Sequence, residues 1–263
     1  MEERQDKVSN EHPESTGDQS GLSTPAAGGE SKKMSALARV IGVFLEPSRV
    51  MDNLSAKPDW LLPLIIMLVC SFIFVLFAGD VIRDFALEKT SERMQVQVDR
   101  GNMSQEQVDQ IMEQQEKFMG VGLYIQTLVS VPIQRLIGAL ILLFLGNVIF
   151  GGIKKFSHYW ALILYGGMIA ALGTLITSAL AHYKGDLASA QIGLGIFTAG
   201  NPESALHKIA TPFNVFTIWE AIVIGIGLAV FTKSSKSATI TTMILLYLVL
   251  GIGSAFVFGY SIM

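Results

Sequence analysis

Five stretches of this chain, each at least 18 residues long, hold only two charged side chains between them, Arg135 and Glu220. They lie at 60–78, 133–150, 159–181, 213–231 and 238–260. In a bilayer every backbone N–H and C=O must be paired within the chain, and a helix of about 20 apolar residues crosses the hydrocarbon core. The pattern therefore predicts an all-α membrane protein, a five-transmembrane-helix bundle. Only 16% of the 263 residues are charged, against about 25% in a typical soluble domain. The apolar run from 120 to 152 is too long for one span at about 1.5 Å per residue. Pro132 is expected to divide it into an interfacial lead-in at 120–131 and the second span.

Residues 1–33 are rich in Glu, Ser, Gly, Gln and Pro and poor in aromatic and β-branched side chains. Such a segment cannot bury enough apolar area to offset its ordering entropy, so it is expected to be a disordered tail. The remainder, 34–263, is read as the membrane domain. Its first apolar run begins near Trp60, too far along the chain for a cleaved signal, so the first span is expected to stay as an anchor.

Between tail and first span, 34–45 reads as a short helix with Leu37, Val40, Ile41 and Phe44 on one face. Two placements stay open. It lies on an anionic membrane surface beside Lys32, Lys33 and Arg39, as an N-terminal interfacial helix would, or it packs against the edge of the bundle. Pro47 ends it and opens a second short helix.

The polar insert at 79–119 contains an amphipathic stretch, 104–119, with Ser104 as N-cap and Gln107 completing a capping-box pattern. Val108, Ile111, Met112 and Met119 supply its apolar stripe. A hydrophilic hairpin and a partner-binding helix both fit. Between the third and fourth spans, 188–197 is mildly apolar and reads as a re-entrant or interfacial piece. Asn201 and Pro202 then look like the N-cap and first position of a short helix through Ile209.

Basic residues near span ends tend to stay cytoplasmic. Arg39, Arg49 and Lys57 precede the first span, Lys154 and Lys155 follow the second, and Lys233 and Lys236 follow the fourth. All share one side if the N-terminus is cytoplasmic, and five spans then put the C-terminus outside. Arg83, Lys89, Arg93, Arg100 and Lys117 in the insert run against the rule, but that segment is long and acidic. Trp60, Tyr159 and Trp160 fall at the cytoplasmic interface in this arrangement, and Tyr183 and Tyr260 at the other.

Intramembrane charges are where function is sought first. Arg135 stands at the start of the second span and Glu220 about two turns into the fourth, a depth difference of roughly 8 Å. The preferred reading is a structural Arg135–Glu220 ion pair tying the two spans. In a second reading Arg135 snorkels to the headgroups and Glu220 is protonated. In a third, Glu220 serves a proton or ion path with Gln134 or Gln126. Small residues at four-residue spacing, Ala221, Gly225 and Ala229, then Gly251, Ala255 and Gly259, with Gly166 and Ala170 in the third span, read as helix-packing seams. They would also suit self-association.

Other chemistry finds little support. The net charge of −3 argues against nucleic-acid binding. Cys70 is the single cysteine, so no internal disulfide and no cysteine-based zinc site form. His12, His158, His182 and His207 are scattered without metal-ligand spacing. The Gly-x-Gly patterns at 193–195, 225–227 and 251–253 follow no strand and are not completed, so none is a phosphate loop. No catalytic constellation, metal site or cofactor is expected. The expected partners are the lipid bilayer and other membrane proteins or a second copy of the chain.

Three segments carry a family resemblance. The stretch LARVIGVFLEPSRVMDNLSAKPDWLLPLII, with Pro47, Lys57, Pro58 and Trp60, resembles the opening of the Yip1 domain of bacterial proteins. FGGIKKFSHYWALILYGGM, with Gly151, Gly152, Phe156, Tyr159 and Trp160, resembles that family's Gly-Gly turn and third span. TPFNVFTIWEAIVIGIGLAVFTKSSKSA, with Phe213, Phe216, Trp219, Gly227 and Leu228, resembles its fourth span and basic loop. The family often carries an Asp before the aromatic pair, where this chain has Thr211, Pro212 and Asn214. The resemblance covers about 36–258. It implies five spans and a cytoplasmic N-terminus. The insert resembles that of the bacterial branch and implies a bacterial cytoplasmic membrane, the alternative being an ER or Golgi membrane. Eukaryotic relatives act in membrane traffic with Rab-type GTPases, but the tail here shows no match to their GTPase-binding region.

Overall fold

The computed structural model describes residues 34–185, 190, 192–198, 200, 201 and 204–260, with side chains as far as residue 254. The tail expected at 1–33 lies outside the described residues. Among those described, every regular element is helical, and five helices are long and apolar enough to cross a membrane.

Two short helices come first. Helix α1 (Ala36–Leu45) starts where the Ser35 hydroxyl accepts from the Ala38 N–H at 3.2 Å. It buries Arg39, Gly42 and Val43 and turns Leu37, Ile41 and Leu45 outward. It thus packs on the bundle with one face and leaves an apolar face free. Pro47 opens α2 (Pro47–Ala56), which buries Val50, Met51 and Leu54. Arg39, 4% exposed, clasps Asp59 at 2.8 Å and ties α1 to the chain just before the first span.

The helix of the first span does not stop at 78. Helix α3 (Leu61–Asp99) runs 39 residues without a break, about 58 Å at 1.5 Å per residue, nearly twice the hydrocarbon thickness. Its polar half keeps helical pairings such as Arg83–Asp80 at 3.3 Å and Lys89–Glu92 at 2.9 Å. The chain turns at Gly101, whose φ of 73° favours glycine. Ser104 and Gln107 then form a reciprocal cap: the Gln107 N–H donates to Ser104 Oγ at 3.3 Å, and the Ser104 N–H to Gln107 Oε1 at 2.9 Å.

Helix α4 (Gln105–Phe144), which this cap opens, is 40 residues long and passes straight through Pro132. The expected division into insert helix, interfacial lead-in and separate second span does not occur. A proline removes one hydrogen bond. Here α4 lies against both α3 and α5, and that packing outweighs the loss. The insert is therefore a continuous extension of two spans, a two-helix antiparallel hairpin.

A π-helical turn, Leu145–Ile149, ends α4. Asn147 stitches this turn to the loop and helix after it, accepting from the Tyr159 hydroxyl at 2.6 Å and donating to the Lys154 carbonyl at 2.9 Å. Helix α5 (Phe156–Lys184) is the central one, with Tyr159, Leu162, Tyr165 and Ile169 fully buried. Between α5 and the fourth span, a short 3₁₀ turn at Leu194–Thr198 is held by the Leu194 N–H donating to the Phe213 carbonyl at 2.9 Å. The re-entrant or interfacial piece expected at 188–197 is described only in part. Helix α6 (Ala205–Ala210) begins later than expected. Its N-cap is Ser204, whose hydroxyl accepts from the His207 N–H at 3.1 Å, rather than Asn201; Pro202 lies outside the described residues.

Helix α7 (Val215–Thr232) begins at a cap in which Asn214 accepts from the Phe216 and Thr217 amides. Helix α8 (Lys236–Tyr260) closes the bundle against α7.

The two ends of the bundle differ. Lys154 Nζ donates to the Ser55 carbonyl at 2.9 Å, and Lys236 Nζ to Ser48 Oγ at 3.3 Å. Both basic turns and α2 therefore share one end, which also holds the facing rings of Trp60 and Trp160, 6.5 Å apart. At the other end His182 Nδ1 lies 3.1 Å from the Phe77 carbonyl, so the α3–α4 hairpin projects from the end opposite the basic turns.

Candidate functional site

Arg135 and Glu220 are brought together from α4 and α7, guanidinium Nη1 to carboxylate Oε1. Glu220 is 3% exposed. Both sit where a lone charge would carry a large desolvation cost. Tyr247, from α8, lines the same cleft as Arg135 and Glu220. Helix α5 contributes a gap: Gly167 has no side chain where the guanidinium lies, and a Cβ there would stand 2.7 Å from Arg135 Cζ. Four helices thus meet at one polar point.

The level of that point differs from the one expected of the sequence, which places Arg135 at the start of its span, near the membrane surface. Gly167, which it faces, lies about 17 Å along α5 from Phe156 at 1.5 Å per residue. The ion pair is therefore near mid-span, because α4 does not restart at Pro132 and its membrane-embedded part is shifted toward the hairpin. Snorkelling by Arg135 does not occur; its guanidinium goes to Glu220 instead. Sequence reasoning misses Tyr247 and Gly167, although a tyrosine in the middle of an apolar span and a Gly-Gly pair in the third span were signals.

Two clefts flank the pair. One, of about 210 Å³, is lined by Gln134, Arg135 and Gly138 of α4, Glu220, and Met243, Leu246 and Tyr247 of α8. Gln134 and Glu220 therefore share a cavity wall. The other, of about 260 Å³, lies between α3, α4 and α5 and is lined by Cys70, Ser71, Thr127, Ser130, Gln134, Arg135 and Thr174 among others.

The small residues fall at helix crossings. A Cβ on Gly225 would stand 2.6 Å from the Ile240 Cα of α8, and one on Gly166 2.5 Å from Ile224 of α7. Ala221 and Ala229 are buried beside them, and Gly251 packs on Phe213. Ala170 is half-buried and lines the α3–α4–α5 cleft. The side chain of Ala255 and the surroundings of Gly259 lie outside the described residues. Among the described residues no cluster of three His, Cys, Asp or Glu could hold a metal. His158 packs edge-on to Phe231, and His207 lies 3.0 Å from Thr198 Oγ1.

The Yip1 domain matches residues 41–258 of the chain. The chain belongs to the Yip1 domain family. No curated protein and no solved structure matches it. The Yip1 match spans everything from the middle of α1 to near the end of α8, hairpin included. The family assignment and the five apolar helices together make this a multi-pass integral membrane protein in contact with lipid. Within the Yip1 domain, the Gly-Gly turn is built around close contact: Gly146 leaves room for the Tyr159 ring, and the Gly152 N–H donates to the Gly146 carbonyl at 2.8 Å.

Proposed function

We propose that this Yip1 domain protein is a non-enzymatic organiser of its membrane, gathering lipid or partner proteins around the helix bundle. The observation that carries this reading is the mutual pairing of Arg135 and Glu220. The two intramembrane charges join α4 to α7, so the outer faces of the long helices are left to hydrocarbon. Val69, Phe72 and Leu76 of α3 and Leu136, Ile137 and Leu140 of α4 point outward, each at least 43% exposed. A surface of that kind suits lipid, a second copy or another membrane protein. We place the N-terminus and the basic end in the cytoplasm of a bacterial cell, which puts the hairpin outside; in a eukaryotic host the membrane would be that of the ER or Golgi. The shared end of Lys154, Lys236 and α2 supports this orientation.

Crosslinking and pull-down of the tagged, full-length protein from native membrane tests the role. A discrete set of membrane neighbours or self-crosslinks is expected, reduced when 1–33 or 79–119 is deleted. Recovery of no neighbour above a control membrane protein overturns it.

One observation favours a second reading, a small transporter or channel. Gln134 and Glu220 line the same cleft, as a solute path through Glu220 requires. Glu220→Gln abolishes flux in liposomes under this reading and leaves it unchanged under the first.

A further inference from the structure

The side chains of Thr127, Ser130 and Gln134 of α4 make no hydrogen bond among the described residues, yet all three line the cleft between α3, α4 and α5. They recur at helical spacing and face Cys70 and Ser71 of α3 and Thr174 of α5 across the gap. In hydrocarbon an unpaired hydroxyl or amide carries a heavy desolvation cost. The cleft holds about 260 Å³, room for several waters at about 30 Å³ each in the liquid. Its only charged lining group is Arg135. Water there would bond the three free groups and the outer edge of the guanidinium at once.

The cleft also has a direction. Thr127 and Ser130 lie on the hairpin side of Arg135, and Thr174 lies on the hairpin side of Gly167. A second, smaller cleft of about 90 Å³ continues along the α3–α4 seam, lined by Gly79, Asp80, Arg83, Gly120 and Tyr124. Toward the basic end the cleft ends at Met67, which lines it and is itself 3% exposed, and Ala139, one turn further along α4, is fully buried.

We propose that the cleft between α3, α4 and α5 is a water-filled vestibule, open toward the hairpin and sealed toward the basic end, through which water and small hydrophilic solutes reach Arg135. This goes beyond both functional readings and depends on neither, since hydration can be measured without flux or a partner.

Cys70, the chain's single cysteine, lines the vestibule and reports on it. Full-length protein in native membrane vesicles of either orientation is treated with a cationic, membrane-impermeant methanethiosulfonate, and with lipophilic N-ethylmaleimide as comparison. The thiolate is the reacting form and needs water beside it, so labelling by the cationic reagent is expected to be roughly tenfold or more faster from the hairpin face than from the basic face. Ser130→Leu and Thr174→Leu, which fill the cleft, are expected to slow it by a similar factor. Because either could disturb folding, a second reporter, Ser130→Cys in a Cys70→Ser background, is expected to label with the same face bias. If only the maleimide labels Cys70 and Ser130→Cys, the cleft is filled by lipid and the proposal falls. Equal rates from both faces also overturn it, since the passage would then be open throughout.

Discussion

Gly167 of α5 makes room for the guanidinium of Arg135: a Cβ at that position would stand 2.7 Å from Cζ and 2.8 Å from Nη1. The guanidinium cannot simply swing away, because Glu220 holds it from α7. Gly167→Val is therefore expected to destabilise the bundle by about 1–3 kcal/mol, the usual cost of overpacking. Thermal unfolding in detergent reads the loss. In an Arg135→Ala background the same substitution should cost clearly less, since the group it collides with is gone.

The ion pair itself predicts strong non-additivity. Removing one partner leaves a buried charge alone, at a cost of about 3–5 kcal/mol, whereas replacing both by apolar side chains of similar volume is often neutral. Arg135→Met and Glu220→Met are each expected to lower the melting temperature sharply, and the double variant to recover most of the loss. A double variant no better than the sum of the singles would show that the two residues are not coupled.

At Gly225 the neighbour is backbone, the Ile240 Cα at 2.6 Å from a built Cβ. Backbone in a packed helix yields less readily than a side-chain tip. Gly225→Leu should separate α7 from α8 and cost at least as much as Gly167→Val, about 1–3 kcal/mol or more. Gly253, which has nothing within 4 Å, supplies the comparison: Gly253→Ala is expected to leave the melting temperature unchanged.

Tyr159→Phe removes the hydroxyl that donates to Asn147 at 2.6 Å. The Asn147 carbonyl oxygen is then left without its donor beside the π-helical turn, at a cost of about 1–3 kcal/mol. Amide exchange across 145–152 is expected to quicken before the rest of the bundle is affected.

The hairpin tip is predicted to behave independently of the bundle. Ser104→Ala removes the cap on α4 and should cost about 0.5–2 kcal/mol, felt locally. Faster amide exchange at 105–108, with the melting of the membrane part unchanged, is the expected pattern.

Much of the fold is legible in the order of residues alone. The five apolar runs announce five spans because backbone groups in hydrocarbon have only helix or barrel to satisfy them. The cap at Ser104 and Gln107 is readable because it involves neighbours in sequence. The caps and turns between α5 and α7 are less so. Asn201 and Ser204 are both good capping residues, and the choice fell to Ser204, whose hydroxyl meets the His207 amide.

What tertiary structure alone decided is continuity and depth. Pro132 and Gly79 both look like breaks in one dimension, since each weakens a helix locally. Packing of α3, α4 and α5 against one another carries the helices through both positions and makes the insert a continuation of two spans. That same continuity moves Arg135 from the membrane surface to mid-span, opposite Gly167 and beside Glu220 and Tyr247. The sequence by itself determined that two charges are immersed among apolar residues. Only the packing of four helices determined that they meet one another, because the partners are 85 positions apart and no local pattern encodes the level at which two helices cross.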